Sequence, residues 1–434
     1  MGIKGLAKLL SDEAPDCIRE VDFKSLHGRK VAIDASMAIY QFLIAVRSGG
    51  PNQQAVMLTN SDGETTSHIQ GLFNRTNRFL TEGMKPVFVF DGKAPSMKSG
   101  ELAKRREKRK KAEEELKKAV DDENVEEMDK HSKRLARAGR KENEDCKRLL
   151  QLMGVPVIVA PMEAEAECAA LCKAGLVYAT GTEDMDALTF ATPILIRKLT
   201  FANQTAKGAK IQQMNYKKAI EGLNLTHEQF VDLCILLGCD YCDTIRGIGP
   251  KTALKLIRQH GSIEKIITSL KGIVNKDGVQ KYVVPKNWIP DDDEKDEDAT
   301  TDEEGGDAKK EKGKTSEEGN EKPVPAYVLA RELFFNHEVT TDVEIKFKAP
   351  QKEELTKFLV EEAGFNPERV KSSIEKLEKA HAANRKPQAR MDSFFAVKAN
   401  PAADAKRKKR LEEGKAKKKQ KATEDRKKKG KGKK

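Results

Sequence analysis

The residues best suited to chemistry are seven carboxylates spread between positions 34 and 240: Asp34, Asp91, Glu163, Glu165, Asp184, Asp186 and Asp240. Each falls at the end of an apolar run or at a helix start. Asp34 closes Lys30-Val-Ala-Ile, Asp91 closes Pro86-Val-Phe-Val-Phe, and Asp240 closes CILLGC. Asp184 and Asp186 lie in TEDMD after a strand-like run, and Glu163 and Glu165 follow Pro161, where the positive end of a helix dipole favours anions. Taken singly, any one of them is a turn former or an N-cap. Seven together suit hard divalent cations, because Mg2+ takes oxygen ligands in preference to sulfur or imidazole. Without such ions, seven groups with pKa values near 4 would be ionised and repelling at neutral pH. Two Mg2+ ions among them still leave a net charge of about −3, which Lys98 and Arg105 in KSGELAKR bring to about −1 while offering grips for a phosphate. The alternative for these two is an ordinary pair of exposed helix cations. Two metals about 3.5–4 Å apart would activate a water and stabilise the leaving oxygen of an in-line displacement, as nucleases do. No Ser-His-Asp or Cys-His pattern competes, the seven histidines being scattered.

The elements that position these acids are legible in outline. Runs at 30–34, 86–91, 155–160, 177–180 and 193–197 read as strands, with helical stretches between them. Apolar on both faces, they predict a mostly parallel sheet covered on both sides, with ligands beyond the carboxyl ends of the strands. From Gly100 to about Arg148 the chain is a charged helical region with no turn before Gly139, too polar for core. It is either a solvated hairpin or an arch touching substrate. At 244–253, Gly247 and Gly249 let backbone N–H groups approach a phosphate, Pro250 suits a first helical position, and Lys251 adds charge there. This is a helix-hairpin-helix type of DNA contact, or else a plain connector. In the tail, Met391, Phe394 and Phe395 at i, i+3 and i+4 after Gln388 form an apolar plug for a partner's pocket, or dock back on the body.

The 434 residues carry a net charge of +12. Residues 291–322 hold 15 acids against 6 bases, and residues 404–434 hold 17 bases against 5 acids, so both are expected to be disordered. The remainder is still basic at +9, which suits a polyanionic partner. No run of 18 apolar residues and no secretory leader stands out, so an intracellular protein without a membrane is expected. Leu6 spoils the myristoylation pattern that Met1-Gly2 invites. Seven cysteines without a leader read as reduced thiols, and Cys239 and Cys242, lacking a second pair at finger spacing, read as a thiol pair before a zinc site. The KRKKR run at 406–410 reads as nuclear import or as an electrostatic arm.

Together MGIKGL, VAIDASMAIYQFL, VFDGKAPSMKSGELAKR, APMEAEAECAAL, TEDMDALTF, ILLGCDYCDTIRGIGPKTA and QARMDSFF resemble the eukaryotic flap endonucleases of the XPG-like 5′ nuclease family, from Met1 to about Phe395. The resemblance implies an α/β, PIN-like fold: a mostly parallel sheet with helices on both faces, a helical arch and a helix-hairpin-helix element. The implied layout is a nuclease domain over 1–107, 149–290 and 323–380, an arch over 108–148, the acidic insertion 291–322, and a tail over 381–434. The seven acids would hold two Mg2+ ions, Lys98 and Arg105 would act on the scissile phosphate, and Tyr40 would contact a base near the cut. Arg47, Gly238, Gly247, Gly249 and Lys251 join Glu163 and Asp240 as the DNA-contacting set, with K+ at the hairpin. Gln388, Met391, Phe394 and Phe395 would bind the sliding clamp, proliferating cell nuclear antigen. The implied activity is cleavage at the base of 5′ DNA flaps in replication and repair, with 5′-3′ exonuclease activity, by a nuclear monomer with a mitochondrial share. Rival readings are another branch of the family, such as a 5′ exonuclease, and a non-catalytic DNA scaffold. Two features depart from the pattern: the acidic insertion, and Glu167. On a regular helix Glu167 shares a face with Glu163 while Glu165 points away, whereas the motif names Glu163 and Glu165 and leaves Glu167 behind them.

Overall fold

Seven strands form one sheet among the described residues: β1 (Ile18–Asp22), β2 (Lys30–Asp34), β3 (Lys85–Phe90), β4 (Val157–Val159), β5 (Ala179–Gly181), β6 (Ile194–Arg197) and β7 (Lys210–Asn215). The computed structural model describes residues 2–47, 66–122, 124–135, 139–199, 210–270, 282–289 and 324–384. The strand order is β1-β7-β6-β5-β2-β3-β4. Pairings from β4 across to β6 are parallel, while β7 pairs antiparallel with both β6 and β1. The parallel part is the sheet expected from the apolar runs. The antiparallel edge was not expected, because IREVD and KIQQMN mix polar residues with apolar ones and only half of each strand is covered.

Helices α1 (Leu6–Glu13), α2 (Ala35–Arg47) and α3 (Ser67–Thr81) precede β3. The charged region folds as α4 (Ser99–Asp121), α5 (Val125–Arg134) and α6 (Arg140–Leu152). After β4 come α7 (Ala164–Lys173) and α8 (Asp186–Thr189), then α9 (Tyr216–Leu223), α10 (His227–Leu237), α11 (Pro250–His260) and α12 (Ile263–Leu270). The described chain ends through α13 (Ala326–Phe335), α14 (Lys352–Lys357) and α15 (Pro367–Asn384).

Alternation along the central strands sends side chains to opposite faces. Val31, Ile33, Phe88 and Phe90 join the core under α2, α3, α6 and α15. Ala32, Val87 and Val89 pack with Ala164, Cys168 and Leu171 of α7. A third core gathers α1 and α9 to α13 around Phe230, Leu254 and Trp288. Each fully buried Phe contributes on the order of 2–3 kcal/mol, so Phe88 and Phe90 of β3 tie the acid-bearing strand ends to the core.

The charged region differs from its expected form in two ways. α4 ends at Asp121 and α5 starts at Val125, with Asn124 capping α5 by accepting the Glu127 N–H at 3.2 Å, an N-cap of the usual kind. The region's last part, α6, is core: Cys146, Leu149, Leu150 and Leu152 are buried behind a charged outer face, an amphipathic pattern diluted by the lysines and glutamates before it. Only Ala112 and Ala119 are buried on α4. Among the described residues no helix is long and apolar enough to cross a membrane. Residues 291–322 and 386–434, with Gln388, Met391, Phe394, Phe395 and the 406–410 run, lie outside the described residues.

Candidate active site

Four of the five parallel strands, β2, β3, β4 and β5, end at an acid or feed one. Asp34 is the last residue of β2, Asp91 follows β3, and Asp184 and Asp186 follow β5. Glu163 is the N-cap of α7 after β4, and Glu165 lies in the first turn of that helix. Asp240 arrives from elsewhere, on the turn after α10. All seven acids line one cavity of about 930 Å³, together with Lys98, Arg105 and Tyr40. β2 is flanked by β5 on one side and β3 on the other, so the cavity opens where the strand order reverses, as expected for a parallel α/β sheet.

Local hydrogen bonds hold the carboxylates in place. Asp34 accepts the Met37 N–H at 3.1 Å and the Thr182 hydroxyl at 3.3 Å. Asp91 accepts the Ser36 hydroxyl at 2.5 Å and the Ala164 N–H at 2.9 Å, linking β3 to the start of α7. Asp186 accepts the Ile3 N–H at 3.0 Å, and its own N–H reaches Asp184 at 3.1 Å. A Cβ at Gly2 would collide with the carboxylates of Asp184 and Asp186. Residues 2–6, GIKGL, are therefore a strap laid over the acids, and glycine is what fits at position 2.

Burial and repulsion set the electrostatics. Burial, then the charges of Asp91 and Asp184, push the Asp34 carboxyl up to about 7. Burial and the neighbouring Asp34, Asp91 and Asp184 raise Glu165 as well, and burial with Asp184 and Asp240 raises Asp186. Lys98 and Arg105, seven apart on the foot of α4, enter from above. The Lys98 ammonium pairs with Glu163 and lies 3.4 Å from Asp240, and Arg105 donates to Asp240 at 2.8 Å and to Glu101 at 3.1 Å. Burial works against the Lys98 charge, yet Glu163, Glu165 and Asp240 outweigh it and hold its pKa above the ordinary lysine value.

The donor set suits a hard divalent cation. Carboxylates dominate the oxygen donors that line the cavity, and no histidine or cysteine is among its lining residues; several of the buried acids are held at a pKa cost that a cation would remove. Among the described residues no three of these groups close on a single point, the spacing expected of carboxylates that repel one another.

The remaining expected residues fall elsewhere. Gly247, at φ 91°, and Gly249, the N-cap of α11 with Pro250 at its first position, form the hairpin. A Cβ at Gly249 would meet nothing within 4 Å, so that surface is open to a ligand. Lys251 lines a separate cleft of about 370 Å³ with Lys255 and Arg258. Gly238, at φ 109°, closes α10 just before Asp240. Arg47 ends α2, and its side chain is outside the described set.

Glu167 belongs to neither place. It does not line the cavity; it is fully buried and accepts the Thr340 N–H at 2.8 Å. Helical counting from Glu163 misleads because Glu163, at φ −96° and ψ 137°, is not yet helical. Two contacts to Glu163 had no sequence signal. The Tyr241 hydroxyl donates to its carboxylate, and its backbone N–H donates to His337 Nε2 at 3.3 Å. Partners 78 and 174 residues away leave no local pattern to read.

A mostly parallel α/β sheet whose strand ends gather six acids, joined by Asp240 from the turn after α10, beneath a pair of cations defines a nuclease of the PIN-like fold, and the comparisons agree. Family models for the XPG N-terminal domain and the XPG I-region match residues 1–112 and 154–240. The chain is 66% identical to flap endonuclease 1 of Phaeodactylum tricornutum across 96% of this chain and 97% of that one. It is 49% identical to flap endonuclease 1 of Phytophthora infestans across 94% and 95% of the two chains. Among solved structures, flap endonuclease-1 from Methanococcus jannaschii matches with a TM-score of 0.58 at 30% identity, over 86% of this chain and 98% of that one. The chain belongs to the flap endonuclease family.

Proposed function

We propose that the chain is a structure-specific, Mg2+-dependent endonuclease that hydrolyses the phosphodiester at the base of a 5′ DNA flap. The observation that carries this reading is the meeting of seven acids, distant in sequence, in one cavity beside Lys98 and Arg105. Asp34, Asp91, Glu163, Glu165, Asp184, Asp186 and Asp240 would hold two Mg2+ ions, which supply an activated water and charge neutralisation at the leaving oxygen. Lys98 and Arg105 bind the scissile phosphate, exchanging their present carboxylate partners for its oxygens. Ser36, Thr182 and the Ile3 N–H keep their carboxylates oriented. Tyr40, on α2 at the cavity wall, faces the base beside the cut.

The sequence regions take matching parts in this reading. Helices α4 and α5 form the arch over the cavity, and the hairpin around Gly247, Gly249 and Lys251 holds the downstream duplex by its phosphates, with a K+ ion. Base identity counts for little, because these contacts go to phosphate and to stacked bases. Gln388, Met391, Phe394 and Phe395 dock on the sliding clamp, and the enzyme works as a monomer in the nucleus during replication and repair. An end-labelled 5′ flap tests the reading: the purified chain should release the flap at its junction with Mg2+ and leave it intact with a chelator. Cleavage unaffected by chelation, or binding without cleavage, would overturn it. A blunt duplex run beside the flap separates this from a 5′ exonuclease.

A further inference from the structure

Seven free cysteines are distributed unequally between the interior and the site. Cys17, Cys146, Cys168, Cys172 and Cys234 are buried, and only Cys239 and Cys242 are partly exposed. The Sγ atoms of these two lie 3.8 Å apart. The residues they enclose are the ones wired most directly into the cavity. Asp240 accepts from Arg105 at 2.8 Å and lies 3.4 Å from Lys98, while the Tyr241 hydroxyl holds Glu163. A C-x-x-C pair supplies only two of the four ligands a structural zinc takes, and no other cysteine is exposed to complete a set.

We infer that Cys239 and Cys242 are a modification site, forming a reversible disulfide with a low-molecular-weight disulfide such as oxidised glutathione and so disabling the cavity. The step balances without any further reagent. One thiol loses its proton to solvent and its sulfur attacks the small disulfide, releasing one small thiolate and leaving a mixed disulfide on the protein. The second cysteine, likewise deprotonated, attacks the protein sulfur of that bond and releases the other small thiolate. Two protein thiols are oxidised by two electrons, and one small disulfide is reduced to two thiols.

Bond formation requires the sulfurs to close from 3.8 Å to about 2.05 Å. The whole of that movement falls within a four-residue turn, and Asp240 and Tyr241 sit inside it. Gly238, already at φ 109° just before the turn, is the flexible joint on one side. The displaced groups are a cavity carboxylate and the hydroxyl that fixes Glu163. The hairpin beyond Ile245 is outside the closed loop, so duplex contacts there survive.

The inference rests on the nuclease reading of the cavity, and one experiment separates the two. The full chain, reduced and freed of reductant, is incubated across a series of oxidised-to-reduced glutathione ratios. Remaining thiols are then alkylated, the 239–242 peptide is weighed, and flap cleavage and flap binding are measured on the same samples. The expected result is an unalkylated peptide about 2 Da lighter than the dithiol, with cleavage down about tenfold or more, binding within about threefold, and full recovery in dithiothreitol. Cys242→Ser and, separately, Cys239→Ser should cleave like the parent and keep that activity through the oxidising series. The inference is overturned if both thiols stay alkylatable at every ratio, if the disulfide forms while cleavage is unchanged, or if both serine variants lose activity as the parent does. A reduced parent that fails to cleave indicts the nuclease reading instead, and the peptide mass still decides whether the disulfide forms.

Discussion

The floor of the cavity and the helices above it are built on opposite terms. On the floor, Asp34, Glu163 and Asp186 are 3%, 6% and 8% exposed, placed by the strand ends of the sheet and held by backbone and hydroxyl donors. Above, α4 buries only Ala112 and Ala119; some of its charges pair along its own surface, as Lys111 with Glu107 at 2.8 Å, and others reach neighbours, as Lys104 with Asp243 and Glu115 with Arg134 of α5. Buried like charges are costly and precise, whereas exposed helix pairs contribute little and yield easily. The contrast teaches where each task belongs. In the proposed reading, atoms that must be fixed to fractions of an ångström sit at strand ends, and the groups that would admit a flap sit on exposed helices.

The sharpest way to break the contrast is to empty one position on the floor. Asp186→Ala should lower flap cleavage by about a thousandfold or more while flap affinity changes by less than about threefold, if, as proposed, the hairpin and arch grip phosphate independently of the cavity floor. Equal loss of binding and cleavage would mean that the floor holds DNA and not the reacting centre. Next in size are the two cations that join the regions. Lys98→Ala should cost about a hundredfold in kcat with KM little altered, because its amine is needed chiefly when charge builds on the phosphate. A rise in KM alone would make it a docking residue.

A middle-sized effect belongs to His337, whose ring receives the Glu163 N–H. His337→Ala should raise the Mg2+ concentration for half-maximal cleavage by about tenfold, as loss of a group that orients a ligand does, and His337→Asn should recover part of it. The smallest effect belongs to the exposed helices. Arg109→Ala, at the cavity's outer wall, should weaken flap binding a few-fold and reduce the salt dependence by about one ion. A loss in cleavage as large as that of Asp186→Ala would erase the distinction between floor and arch.

These differences also decide what could be read from sequence. Strands β2 and β3 were plain because both faces are buried, and their terminal Asp34 and Asp91 stood out against apolar neighbours. The antiparallel strands β1 and β7 were not, because their faces are shared between core and water. The choice of Glu165 over Glu167 could not be made by helical spacing, since Glu163 sits outside the helix proper, and only the motif pointed to the acid that lines the cavity. The turn at Asn124 was hidden among charges, and α6 passed for solvated helix although Leu149 and Leu150 are core. The grips of Tyr241 and His337 on Glu163 depend on tertiary folding alone.

Acids crowded on the floor must also leave a mark on stability. A carboxyl whose pKa is higher in the folded chain than in the unfolded one binds more protons when folded, so stability falls as pH rises through the interval between the two values. For Asp34 that interval runs from 3.8 to about 7. The chelator-treated chain should therefore melt at a lower temperature at pH 7.5 than at pH 5.5. Asp34→Asn should raise the pH 7.5 melting temperature of the chelated protein by several degrees.

The most direct test is calorimetric titration of Mg2+ into the full chain near pH 7, repeated in buffers of different ionisation heat. If the acids are kept for divalent ions, two ions bind per chain with a net release of protons, and Asp34→Asn lowers both the affinity and the proton count. Binding with no proton release, or no binding that depends on Asp34, would contradict it.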